Sequence, residues 1–133
     1  MNTGTWVDAL ENPLAIKEVY TSPPDLRSVR VMYVELDENG AALLIKIELP
    51  TYPDKPPLRW QHLGHTTATL KIRLIGVSEL QIRGWTTHNS ADIVVNRVGN
   101  SVEFRASGNG LLISANSVSA DVCRIEGYHR RES

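Results

Sequence analysis

The stretch that decides the fold is VRVMYVELDENGAALLIKIEL, Val29 to Leu49. In its second half Leu43, Ile45, Ile47 and Leu49 alternate with Lys46 and Glu48, the period-two pattern of a strand with one face buried. In its first half Val29, Val31 and Tyr33 alternate with Arg30, Met32 and Val34, which places the first three on one face. Between the halves stands Glu38-Asn39-Gly40, and Asn-Gly between two alternating runs is the strongest short-range hairpin signal.

The same pattern continues toward the C-terminus. Ala68, Leu70, Ile72 and Leu74 alternate with Thr67, Thr69, Lys71 and Arg73 in a third strand that Gly76 ends. Leu80 to Arg83 follows with Leu80 and Ile82 facing in, then Ile93–Arg97, a Gly99-Asn100 turn, Val102–Ala106, an Asn109-Gly110 turn, Leu111–Ala115 and Val118–Tyr128. About eight short strands with turn chemistry between them predict a mainly β (α+β) fold. The strands run antiparallel in one curled sheet or a two-layer sandwich.

Upstream the period changes. Thr5 caps a short helix through Leu10, and Asn12-Pro13 has the N-cap and N1 arrangement of a second. Trp6, Ala9 and Leu10 in the first helix, and Leu14, Ile16, Val19 and Tyr20 in the second, are expected to face the sheet. Thr21-Ser22-Pro23-Pro24 stops the second helix, because the residue before a proline leaves the α region. The stretch His129–Ser133 reads as a loose tail.

Composition bounds the rest. The chain has 133 residues, 41% hydrophobic and 22% charged, which fits one globular domain and excludes disordered and fibrous classes. Its net charge of −1 gives no overall field for nucleic acid or anionic lipid. Residues 1–66 hold nine acids against six bases and residues 67–133 six against eight. The excess leaves room for a small basic surface built from Lys71, Arg73, Arg83, Arg97 and Arg105. Cys123 is the only cysteine, so no intrachain disulfide forms, and its mid-strand position reads as a small buried thiol. The first residues, MNTGTWVDALENP, hold no basic segment followed by an apolar core, and no apolar run reaches the roughly 20 residues that a membrane helix needs, so neither a leader nor a membrane span is expected. A soluble, cytoplasmic protein is expected.

Templates for catalysis find little purchase. His62 and His65 stand three apart in what reads as an exposed loop, without cysteine and with only Asp54 near in sequence, which is poor material for a metal site. No GxSxG turn or phosphate-binding loop is present. No cofactor and no metal is expected. Arg59-Trp60 and Arg83-Gly84-Trp85 have side chains that stack bases, but aromatics are 6% of the chain and the net charge is negative.

One segment remains, LPTYPDKPPLRW from Leu49 to Trp60. Four prolines stiffen it, so it loses little entropy on docking. Trp60 is expected to fold back as a core plug, while Tyr52, Asp54, Lys55 and Arg59, with Trp85, are candidate contacts for a protein partner.

Taken together, Trp6, Asn12-Pro13, Tyr20, Pro24-Asp25-Leu26, the Leu49-Pro50 to Pro56-Pro57 and Trp60 loop, Gly76-Val77, Gly84-Trp85 and Gly127-Tyr128 resemble the Imm50 family. These are small immunity proteins of bacterial polymorphic toxin systems. The resemblance implies a cytoplasmic antidote that binds a cognate toxin and occludes it without catalysis, with neither nucleic acid nor membrane as partner. A β-sandwich ligand or carbohydrate module, with Trp60 and Trp85 as a platform, is the alternative, and an enzyme without a recognisable motif the third.

Overall fold

The structure, a computed structural model, describes residues 6–129. The cap at Thr5 and the tail beyond His129 lie outside the described residues. Eight antiparallel strands form one sheet: β1 (Val29–Asp37), β2 (Ala42–Glu48), β3 (Thr67–Ile75), β4 (Ser78–Arg83), β5 (Ser90–Val98), β6 (Ser101–Gly108), β7 (Leu111–Ser117) and β8 (Ser119–Tyr128). Their order is β4-β7-β6-β5-β1-β2-β3-β8, so β4 and β8 are the two edges.

Two short links force the sheet to curl. Gly76-Val77 carries the chain from β3 to the far edge β4, and Val118 alone separates β7 from β8. Strands distant in the order must therefore approach each other in space, yet the sheet stays unclosed. The two crossings stack on one another. Gly76 has φ +70, and a Cβ on it would come 2.7 Å from Val118 Cγ2, so only glycine fits. The Val118 N–H donates to Ile75 O at 2.8 Å, and the Gly76 and Val77 N–H groups donate to Gly40 and Ala41.

The core fills the inside of this curl. Leu43, Ile45 and Ile47 from β2 and Leu70, Ile72 and Leu74 from β3 are fully buried, with Phe104 and Ile113 from the other half. The expected alternation therefore holds for β2 and β3. β1 departs from it. Val31 pairs with Ile47 but Tyr33 pairs with Lys46, so Met32 is an extra residue in a β-bulge. The bulge corrects the expected placement of Tyr33 on the inner face, since an extra residue reverses the alternation beyond it. Val34 packs against the core instead.

The turns behave as their residues require. Asn109 (φ 50) and Gly110 (φ 85) close the two-residue β6–β7 hairpin in left-handed conformations. The Glu38–Ala41 connection is longer than the two-residue turn that Asn-Gly signals. A 3₁₀ turn occupies Asn39–Ala41, with Asp37 and Ala42 as the last paired residues.

A 3₁₀ turn at Trp6–Ala9 and helix α1 (Leu14–Lys17) pack onto the curl. Trp6, Val7, Ala9, Leu10, Ile16, Val19 and Tyr20 are buried, but Leu14 is 58% exposed, against expectation. Four helical residues cannot carry a full apolar stripe, and the N-terminal one points outward. The N-cap position falls on Pro13, one residue later than expected, its carbonyl accepting from the Lys17 N–H at 3.1 Å, while Asn12 Oδ1 accepts from the Leu14 N–H at 3.1 Å just before the helix. Ile82 is also a correction: on edge strand β4 it is 37% exposed, with only Leu80 packing against the core.

Candidate partner-binding loop

The segment between β2 and β3 leaves the sheet at Leu49, whose N–H donates to Ala68 O at 2.9 Å. Beyond Pro57 it forms helix α2 (Leu58–His62), where the sequence reads as a loop. Pro57 places its carbonyl to accept from the Trp60 N–H at 2.9 Å, and the helix ends where Gly64 takes φ +69 and the His65 N–H returns to Trp60 O. Proline before and glycine after are recognised start and stop signals, and they were the available clue to this helix.

α2 turns Trp60 inward, where it is 3% exposed. Its ring lies 6.1 Å from those of Tyr52 and His65. Across from it stands Gly127 of β8, whose missing side chain makes the space the indole fills. His65 is consequently half-buried, its Nδ1 sealed without a hydrogen-bond partner, as is the Tyr52 hydroxyl. Burial pushes the Tyr52 phenol above its ordinary range.

The charged residues of the loop divide into two kinds. Asp54 accepts from the Thr21 N–H at 2.9 Å and from Thr21 Oγ1 at 2.6 Å, and these bonds hold its carboxyl below the usual range. Lys55 donates through its backbone N–H to Val19 O at 2.9 Å and through Nζ to Lys17 O at 3.2 Å. The Tyr20 hydroxyl donates to Thr51 O, and burial raises its pKa to about 12. These contacts strap the loop to the segment after α1. Arg59 is of the other kind, exposed and without an ion pair among the described residues, on a turn that also exposes Leu58 (66%) and Leu63 (60%).

Trp85 belongs to a separate connection, between β4 and β5, and is 41% exposed. Gly84 before it has φ +77, and a Cβ there would run into the Gly110 carbonyl. After it, Asn89 closes a turn by accepting from the Thr86 N–H and donating to Thr86 O at 2.7 Å. With Trp60 buried, the two tryptophans do not form a joint platform.

Other expected features move. Cys123 is exposed rather than buried, because β8 carries its own bulge: Ile72 pairs with Val122 and Lys71 with Arg124, leaving Cys123 as the extra residue. Lys71, Arg73, Arg83, Arg97 and Arg105 do not gather into one patch. Lys71 and Arg73 lie on β3, Arg83 and Arg105 in the other half of the sheet, and Arg97 is paired to Glu11 at 3.2 Å. Among the described residues no cluster of three or more His, Cys, Asp or Glu could hold a metal ion. No helix among them is long and apolar enough to cross a membrane.

Comparison with known proteins adds the family. Nothing among curated proteins or solved structures matches the chain. The family model of Imm50, immunity protein 50, matches residues 12–128, a range that runs from just before α1 through the proline loop to the end of β8 and leaves Trp6 outside. The chain therefore belongs to the Imm50 family of immunity proteins.

Proposed function

We propose that this protein binds a cognate toxin in the cytoplasm and blocks it by covering its working surface, without catalysing a reaction. The observation that carries the reading is the family match over residues 12–128. The loop supports it physically. A segment stiffened by four prolines, anchored through Trp60 and strapped by Asp54 and Lys55, holds its rim in place before any partner arrives, so little conformational freedom is lost on docking. Arg59, exposed beside Leu58 and Leu63, is of a residue type enriched in binding hot spots. Tyr52 and Trp85 complete the proposed contacts, while Asp54 and Lys55 contribute by holding the loop's shape and through their exposed outer edges.

The test is rescue. Cells expressing the toxin encoded beside this chain's gene are expected to survive when the protein is co-expressed, and the two purified proteins to form a stable complex. Continued killing, with the protein present and folded, would overturn the proposal.

A further inference from the structure

A protein interface of ordinary strength covers about 800 Å² per partner and some 20–30 residues. The rim of α2 is too small to supply that alone. A groove lined by Arg30, Glu48, Pro50, Tyr52 and Thr67 lies between the loop and β1, β2 and β3, whose outer face continues onto β8. What stands on that face is set by strand register. Tyr33 pairs with Lys46, Lys46 with Lys71, and Lys71 with Arg124, so one row across four strands holds an aromatic and three consecutive cations.

Both ends of the row are put there by bulges. The extra residue Met32 turns Tyr33 outward on β1, and the extra residue Cys123 does the same for Arg124 on β8. With unbroken alternation from Val31 and from Val122, each would point inward. Bulges that re-aim a side chain are frequent beside functional surfaces. The arrangement also works against the fold, since like charges directly opposite one another on neighbouring strands are destabilising. Compensation is partial. Glu126 serves both Lys46, at 3.9 Å, and Arg124, at 3.2 Å, while Lys71 between them makes no ion pair among the described residues. The Lys46 and Lys71 ammonium groups lie 5.7 and 5.5 Å from the centre of the Tyr33 ring, which holds them side by side over one aromatic.

We infer that the Tyr33–Lys46–Lys71–Arg124 row is a docking strip for an acidic protein surface, the carboxylate-bearing face of the toxin. The inference rests on the immunity reading above. Carboxylates placed between the cations would relieve the repulsion along the row. A nucleic-acid backbone fits less well, because the flanking rows hold one base each, Arg30 and Arg73, but two acids each, Glu48 and Glu126 on one side and Glu35 and Asp121 on the other. Continuous phosphate would meet them, whereas a protein surface can place bases there.

The experiment titrates the purified toxin encoded beside this gene, and separately a single-stranded oligonucleotide, into wild type, Lys71→Glu, Arg124→Glu and the milder Lys71→Gln, with thermal unfolding of each variant as a control. Lys71→Glu and Arg124→Glu are expected to weaken toxin binding about tenfold or more and to flatten its salt dependence, as loss of complementary charge does. Lys71→Glu should meanwhile melt no lower than wild type, because it removes a like-charge neighbour. Toxin binding within twofold of wild type in both glutamate variants would overturn this inference and leave the immunity reading standing. An oligonucleotide bound by wild type and lost in the variants would overturn the acidic-protein occupant. Failure of wild type itself to bind the toxin would overturn both readings.

Discussion

The indole of Trp60 occupies the space that a side chain on residue 127 would take: a Cβ built on Gly127 would lie 2.6 Å from Trp60 Cδ2 and 2.7 Å from Cε3. This fit clamps α2 and the proline loop against the end of β8. Gly127→Ala overfills the joint and should cost about 1–3 kcal/mol. Trp60→Ala empties it and should cost about 3–5 kcal/mol. Because the two changes touch the same space, the double variant should lose less than the two single losses added together, measured by urea unfolding. Additive losses would show that the indole and Gly127 are energetically independent.

The strap from Asp54 to Thr21 should make the loop's contribution depend on acid pH. Hydrogen bonds from Thr21 depress the carboxyl's pKa in the folded state, so the folded protein binds that proton less readily than the unfolded chain. The stabilisation is therefore present above the unfolded carboxyl range, near pH 4, and is lost as pH falls through the lower folded value. Asp54→Asn should lower the urea midpoint at pH 7 and have a smaller effect near pH 3. A gap between variant and wild type that does not narrow with acid would show that the carboxylate's charge is immaterial to the strap.

Much of the fold was legible because its cause is local. Leu43, Ile45 and Ile47, and Leu70, Ile72 and Leu74, alternate without interruption, and each is fully buried. Two of the misplaced residues share one physical cause. Tyr33 and Cys123 sit at or beside bulges, and one inserted residue reverses the faces beyond it while leaving the composition of the strand unchanged. Ile82 lies on an edge, where an apolar residue has a neighbour on one side only. Of the candidate site, Trp60 was legible as a plug. The straps to Thr21 and Lys17 were not, because they join residues 33 and 38 apart in sequence through no pattern that spacing records. The cation row was equally hidden, since its members come from four strands and two of them are aimed by bulges.

Arg59 and Asp54 should separate under charge reversal. Arg59 is exposed and unpaired among the described residues, so Arg59→Glu should leave unfolding within about 0.5 kcal/mol of wild type while weakening the toxin complex. Asp54→Lys replaces an acceptor of two Thr21 hydrogen bonds with a donor, so it should lower thermal stability as well as binding. Calorimetric titration and thermal unfolding on the same samples check both. A stable Asp54→Lys variant would mean that the loop keeps its shape without the strap, and normal toxin binding by Arg59→Glu would remove α2 from the interface.

Tyr20 should give the alkaline counterpart of the Asp54 effect. Its hydroxyl donates to Thr51 O from a buried position, and burial lifts its pKa to about 12. The unfolded phenol titrates near 10, so the folded state holds the proton more tightly. Its stabilising contribution is complete below about pH 10 and is lost as pH rises from there toward 12. Tyr20→Phe lacks both the bond and the ionisation, and should be about 0.5–1.5 kcal/mol less stable than wild type at pH 8. That gap should close by about pH 11, since only the wild-type chain must then bury a phenol that the unfolded state would ionise. The other tyrosines are the same in both proteins, so the difference between the two urea midpoints isolates Tyr20. A gap that stays constant from pH 8 to 11 would show that the hydroxyl ionises as readily folded as unfolded, and no gap at pH 8 would show that the link from Tyr20 to Thr51 does not hold the loop.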